Sequence, residues 1–212
     1  MATMDVFLSS VNNAVKSITH SIYSMEQSVT LRPHNEAVYL TAVREAILAD
    51  KACLEDNNAT WKRMSGEKWD KAKKVLEELY QSSQDTGKFG SMVVLSTALL
   101  QIAQHVLILV HNTDQKKDIL NTYRSLGNSL RNIKGQNTVN IIWEGRNQAV
   151  HFRGEIYSNV ETVFDALINT GELQLAGYKI KENMSYEIVK LLGWSGENGC
   201  EKFLDDMKNL AI

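Results

Sequence analysis

Proline is nearly missing from this chain, and this scarcity constrains its fold more than any other feature. Pro33 is the only proline among 212 residues. The proline ring removes a backbone donor and clashes with the preceding helical turn, so a chain almost free of it can form long helices. Apolar residues also recur at intervals of three and four, the pattern of amphipathic helices. The two features predict an all-α fold, a helical bundle.

Apolar spacing and capping residues place seven helices in the first 170 residues. Ser65 is the expected N-cap of the third helix, Asn137 or Thr138 begins the sixth, and Gly135 is expected to close the fifth. The predicted helices are residues 5–29, 35–56, 65–80, 90–111, 114–133, 138–156 and 158–169.

The character of the sequence changes at Gly171, beyond which glycines separate short segments. We predict helical pieces at Ser185–Leu192 and Glu201–Leu210, and the alternation at Leu173–Ile180 allows a short hairpin there. This stretch is too small to form an independent core. The predicted organisation is therefore a bundle over residues 1–170 with a small helical C-terminal appendage, residues 171–212, packed on it.

The net charge and the cysteine content of the chain limit which partners it can bind and which cellular compartment suits it. The net charge is −2, so attraction to nucleic acid must come from a local basic patch. The densest basic stretch, residues 62–74, is interleaved with acidic residues and is interpreted as a solvated helix face. Cys53 and Cys200 have no metal-ligand spacing, which favours a reducing cytoplasm over a disulfide framework or a zinc site. We also expect no signal peptide.

One apolar segment tests the expectation of a soluble protein. Met92 to Val110 carries no formal charge and approaches the length that spans a bilayer. Five polar residues interrupt it: Ser96, Thr97, Gln101, Gln104 and His105. We predict a central helix buried by its neighbours, with a membrane span as the alternative. Thr97, Gln101, Gln104, His105 and Ile108 fall at helical spacing, so a polar strip crosses the apolar surface of this helix. This polar strip is interpreted as a structural hydrogen-bond network, and a cleft or a dimer seam is the alternative.

The segment from Trp143 to Gly154 concentrates the residues that can carry chemistry. On a helix, Asn147 and His151 lie four residues apart and share a face, with Glu144 three residues before Asn147. Arg146 and His151 diverge by about 140° on an ideal helix. They can converge only if the arginine folds around, if the helix is irregular near Gly145, or if a second chain supplies its own copy.

Arg146-Asn147-x-x-x-His151 resembles the R-x(4–6)-H signature of the HEPN superfamily, in which a polar residue often follows the arginine. The resemblance implies a helical bundle with the motif on a late helix. It also implies a homodimer whose two motifs share one cleft and cleave RNA without a metal or other cofactor. Many members act as toxins or antiviral-defence effectors, so the resemblance also suggests an antitoxin or regulatory protein as a partner. Members paired with a nucleotidyltransferase commonly have tyrosine where this chain has Arg153, and this departure puts that subtype in doubt.

The residue types also fit RNA cleavage independently of the resemblance. Cleavage by the 2′-OH of RNA needs a proton acceptor, a proton donor and a cation beside the phosphate. Histidine can exchange protons near neutral pH, and the arginine fork suits phosphate oxygens. We therefore predict catalytic roles for Arg146, Asn147 and His151. Arg124, Arg131 and Arg153 are predicted to extend a phosphate-binding track, and pairing with acidic residues is the alternative for Arg124 and Arg131.

Two other interpretations stay open. Arg146 could pair with Glu144 or with a neighbouring helix, and His151 could be an ordinary surface histidine. In that case the chain would be a non-catalytic helical module that binds a protein or nucleotide partner. The sequence contains no Walker A, GxGxxG, HExxH or GxSxG motif, which counts modestly against a nucleotide-dependent enzyme, a hydrolase of those classes or a metalloenzyme.

Overall fold

The computed structural model describes residues 2–28, 86–127 and 129–211. Its α-helices, in chain order, are α1 (Ala2–Ser28), α2 (Thr86–His111), α3 (Lys116–Ser125), α4 (Thr138–His151), α5 (Ser158–Asn169), α6 (Ser185–Leu192) and α7 (Gly199–Asn209). A 3-10 helix covers Leu173–Ile180. The prediction of an all-α helical bundle is confirmed. The predicted helices at 35–56 and 65–80, the basic stretch at 62–74 and Cys53 lie outside the described residues.

The predicted helix at 114–133 is wrong in its second half. Helix α3 ends at Ser125, and Gly127 takes a left-handed φ of +66° that an L side chain rarely adopts. The C-terminal role assigned to Gly135 therefore belongs to Gly127. Arg124 lies on α3 and Arg131 lies beyond it, so the helical spacing expected between these two arginines does not exist.

A small antiparallel hairpin occupies the rest of that segment. Strand β1 (Asn132–Ile133) pairs with β2 (Gln136–Asn137), and Asn132 lies opposite Asn137. The two turn residues, Lys134 and Gly135, both have positive φ, as a tight two-residue hairpin turn requires. The hairpin delivers the chain directly to the first turn of α4.

Helix α4 begins where the sequence predicted and ends earlier. The side chain of Asn137 accepts a hydrogen bond from the backbone N–H of Asn140 at 2.8 Å, the geometry of an N-cap. The helix ends at His151 instead of Ile156, and the carbonyl of His151 accepts from the N–H of Gly154 at 2.8 Å. The residues between α4 and α5 therefore form a connection beside the motif. The possible hairpin at Leu173–Ile180 is the 3-10 helix.

Much of the core comes from the segment after Gly171. Tyr178, Trp194 and Phe203 are among the largest fully buried side chains, together with Phe164 of α5. The rings of Phe164 and Tyr178 lie 5.2 Å apart, and those of Trp194 and Phe203 lie 4.8 Å apart. Residues 1–29 and 87–212 group as one compact unit. The boundary at residue 170 stays a prediction.

Helix α2 buries one face and exposes another. Leu99, Leu100 and Leu107 are fully buried, whereas Val94 is 67% exposed. Within the described residues, Gly90–His111 is long and apolar enough to cross a membrane by length and composition. The Thr97 hydroxyl lies 3.0 Å from that of Ser185 at the start of α6. That contact supports the structural interpretation of Thr97 in the polar strip.

Candidate functional site

Helix α4 holds the motif residues on a fixed support. It packs against α3, α5 and α6, and its buried residues include Val139, Ile141, Ile142 and Ala149. A Cβ atom at Gly145 would lie 2.9 Å from Cγ2 of Ile188, so this glycine allows α4 and α6 to approach closely. Such a close contact fixes the axial position of the helix one residue before Arg146.

Gln148 connects the same helix to the turn before α6. Its side-chain oxygen accepts from the N–H of Met184 at 2.9 Å, and its amide nitrogen donates to the carbonyl of Glu182 at 2.5 Å. Gln148 is 5% exposed. Because both ends of the amide are bonded to backbone groups, rotation of α4 about its axis would break buried hydrogen bonds.

Glu144 is a buried carboxylate on the motif helix, with only 1% of its surface exposed. One oxygen forms a close ion pair with Nζ of Lys116 on α3. The other accepts a hydrogen bond from Nδ2 of Asn147 at 3.2 Å. A charge removed from water needs such partners. The two contacts satisfy Glu144 and fix the orientation of the Asn147 amide.

Arg146 lies next to that amide, and its guanidinium has no acidic partner within the described residues. Its NH1 donates to Oδ1 of Asn147 at 3.4 Å, whereas its Nε is buried without a hydrogen-bond partner. Among the described residues, no carboxylate forms an ion pair with Arg146, and Glu144 is bound to Lys116 and Asn147 instead. The site therefore contains a partly buried guanidinium next to a neutral acceptor.

His151 is the last residue of α4, and its side chain is exposed. Its ring makes an edge-to-face contact with Tyr157, with the ring centres 5.4 Å apart and the planes at 83°. Asn147, His151 and Tyr157 line one shallow depression, together with Glu155. Asn147 and His151 thus share a face as predicted. Within the described part of one chain, no hydrogen bond joins Arg146 to His151.

The three arginines predicted to bind substrate lie in separate places. Arg153 follows α4, is exposed, and places its guanidinium carbon 5.4 Å from the centre of the Phe152 ring. Arg124, also exposed, lines a groove of about 290 Å³ beside the N-terminus of α4. NH1 of Arg131 lies 2.7 and 2.6 Å from the two carboxylate oxygens of Asp206. A phosphate contact by Arg131 would require it to leave this ion pair.

Sequence reasoning missed Lys116 and Tyr157. Lys116 lies 28 residues before Glu144 and belongs to no local pattern with it. Tyr157 was placed beyond a helix predicted to continue to Ile156, so no contact with His151 was expected. In the described part of the chain, no group of three or more His, Cys, Asp or Glu residues could hold a metal ion.

Comparison with protein-family models, with curated proteins and with solved structures finds no match to this chain. The HEPN resemblance therefore rests on the residues of the motif.

Proposed function

We propose that this protein is a metal-independent endoribonuclease of HEPN type that acts as a homodimer. The proposal depends on one observation: the guanidinium of Arg146 is partly buried and has no carboxylate partner among the described residues. A guanidinium with unused donors is suited to bind the oxygens of a phosphate. The same helix exposes His151 one turn beyond Asn147.

In the proposed reaction, one imidazole accepts the proton of the 2′-OH of RNA. The 2′-oxygen then forms a bond to the adjacent phosphorus, and the bond from phosphorus to the 5′-oxygen breaks. A second imidazole, in its protonated form, donates a proton to that departing oxygen. The products are a 2′,3′-cyclic phosphate and a free 5′-hydroxyl. Arg146 stabilises the added negative charge on the phosphate, and Asn147 positions Arg146.

The need for two imidazoles favours a two-fold dimer. One chain supplies one histidine in the motif, whereas the reaction uses an acid and a base at the same time. A two-fold axis beside α4 would bring both copies of His151 to one cleft, with the Arg146 of each copy beside it. Val150, which is 39% exposed and directly precedes His151, offers an apolar contact for such an axis. We further propose a cytoplasmic toxin or defence effector restrained by a regulatory protein.

The test is cleavage of a mixed RNA substrate in EDTA by the parent, Arg146→Ala and His151→Ala. We expect the parent to leave cyclic-phosphate ends and both variants to lose activity while remaining folded dimers. His20→Ala is the matched control, because His20 is an exposed histidine on α1. A folded parent dimer that cuts none of a varied set of RNAs would instead favour the non-catalytic binding module.

A further inference from the structure

Tyr157 differs from every other aromatic residue whose side chain the structure describes. It is 51% exposed, whereas the others are buried or half-buried. It directly precedes α5, and its carbonyl accepts a hydrogen bond from the N–H of Glu161 at 3.1 Å. The backbone that carries the ring is therefore anchored to the first turn of a packed helix.

The position of the ring relates it to the candidate site. Its centre lies 5.4 Å from that of His151, and the two planes are nearly perpendicular. An edge-to-face pair occupies at most one face of the phenol ring, and 51% of the surface of Tyr157 is exposed. Tyr157 thus places a flat aromatic surface next to the imidazole that exchanges protons in the proposed reaction.

The surroundings of the ring favour a nucleobase over an apolar protein surface. The neighbouring exposed residues are charged or polar: Arg153, Glu155, Ser158 and Asn159. A protein-docking patch is normally a contiguous exposed apolar area. The apolar and aromatic residues that line the depression with Tyr157 are instead buried or half-buried: Phe152, Ile156, Val160 and Tyr178. Single-stranded RNA is commonly bound by this combination, in which bases stack on aromatic rings and cations contact the backbone.

We propose that Tyr157 forms a base-stacking subsite for the nucleobase that flanks the scissile phosphate of single-stranded RNA. This inference rests on the proposed function, because the base belongs to the nucleotide that reacts at His151. In a duplex that base is stacked within the helix and cannot reach the ring. The subsite therefore selects unpaired RNA and accepts any base, since every base has a flat face.

The binding test uses a single-stranded oligonucleotide that carries 2-aminopurine and a 2′-O-methyl group on every sugar, so that it cannot be cleaved. Stacking on Tyr157 quenches the fluorescence of the base and strengthens binding. We expect Tyr157→Ala to weaken binding roughly five- to 150-fold, as for loss of one stacked base. Tyr157→Phe should keep the quenching, and Tyr157→Leu, which is apolar without being flat, should lose it.

The outcomes separate this inference from the proposed function. If Tyr157→Leu binds and cleaves like the parent, the subsite is overturned and the ribonuclease stands. If the parent cleaves nothing but the variants rank as expected, the reaction fails and the base subsite remains. Equal quenching by single strands and duplexes overturns the subsite. The subsite is also overturned if a Tyr157 variant loses binding and elutes as a monomer in gel filtration, because Tyr157 would then belong to the dimer contact.

Discussion

Replacement of Lys116 by methionine tests how the site is held together. Glu144 is 1% exposed, and the side chain of Lys116 is 19% exposed. Removal of one partner from a fully buried ion pair costs about 3–5 kcal/mol, because the remaining charge is uncompensated. Some water already reaches Lys116 and Asn147 still donates to Glu144, so we expect a loss of about 2–3 kcal/mol. In a chain of this size that lowers Tm by about 5–10 °C.

Substitution of the partner residue, Glu144, should lower the free energy of unfolding less, and this difference between the two variants is the sharper test. Glu144→Gln removes the buried charge and keeps an oxygen that can accept from Asn147, while Lys116 can turn toward water. We expect a loss of about 1 kcal/mol. Lys117→Met, at an exposed neighbour on α3, is the control.

Urea unfolding of the four proteins, followed by far-UV circular dichroism, measures these free energies. The reasoning about a buried, compensated charge is refuted if Lys116→Met stays within about 0.5 kcal/mol of the parent, a typical effect of a neutral surface change. It is equally refuted if Glu144→Gln costs more than Lys116→Met, because the charge left behind would then not be the cause.

Three further predictions concern side chains that stabilise the fold. Gly145→Ala places a methyl group against Ile188 and should lower the free energy of unfolding by about 1–3 kcal/mol; in urea titrations, Gly145→Ala with Ile188→Ala should cost less than the sum of the single changes. Burial lowers the pKa of His111 from its ordinary value of 6.5, so the unfolded chain binds the proton more tightly. The parent should therefore lose stability as the pH falls from 6.5 through the folded pKa, and His111→Gln should lack that slope below pH 6.5. Arg131→Ala leaves Asp206 with Trp194 as its remaining side-chain partner, and thermal unfolding should show a loss of about 2 kcal/mol.

The sequence predicted those parts of the fold that depend on local patterns. Apolar spacing placed α5 and α6 at their observed bounds, and the capping side chain of Asn137 placed the start of α4. The error at 114–133 arose because apolar residues keep helical spacing through Leu130 and Ile133 although the helix ends before Gly127. Locally, Gly127 and Gly135 could each end a helix, and only the packing of the chain decides between them.

For the site, too, the sequence predicted the parts that depend on local spacing. The i, i+4 spacing placed Asn147 and His151 on one face, and the i, i+3 spacing brought Glu144 to Asn147. The partner of Glu144 on α3 and the contact of Gly145 with Ile188 join residues far apart in sequence, so no local pattern contained them. The pairing of Tyr157 with His151 depended on where α4 ends, which spacing alone placed five residues too late.

The ion pair between Glu144 and Lys116 has a consequence for the charge of the site. Two apolar residues of similar size could stabilise the fold equally well, so stability alone does not account for a buried pair at this position. Glu144 fixes the Asn147 amide with its nitrogen toward the carboxylate and its oxygen toward Arg146. Lys116 compensates the carboxylate, which therefore does not neutralise Arg146. Within the part of the chain that the structure describes, the guanidinium contacts this neutral oxygen and no carboxylate. Its charge is then available to an anionic ligand, as the proposed phosphate contact requires.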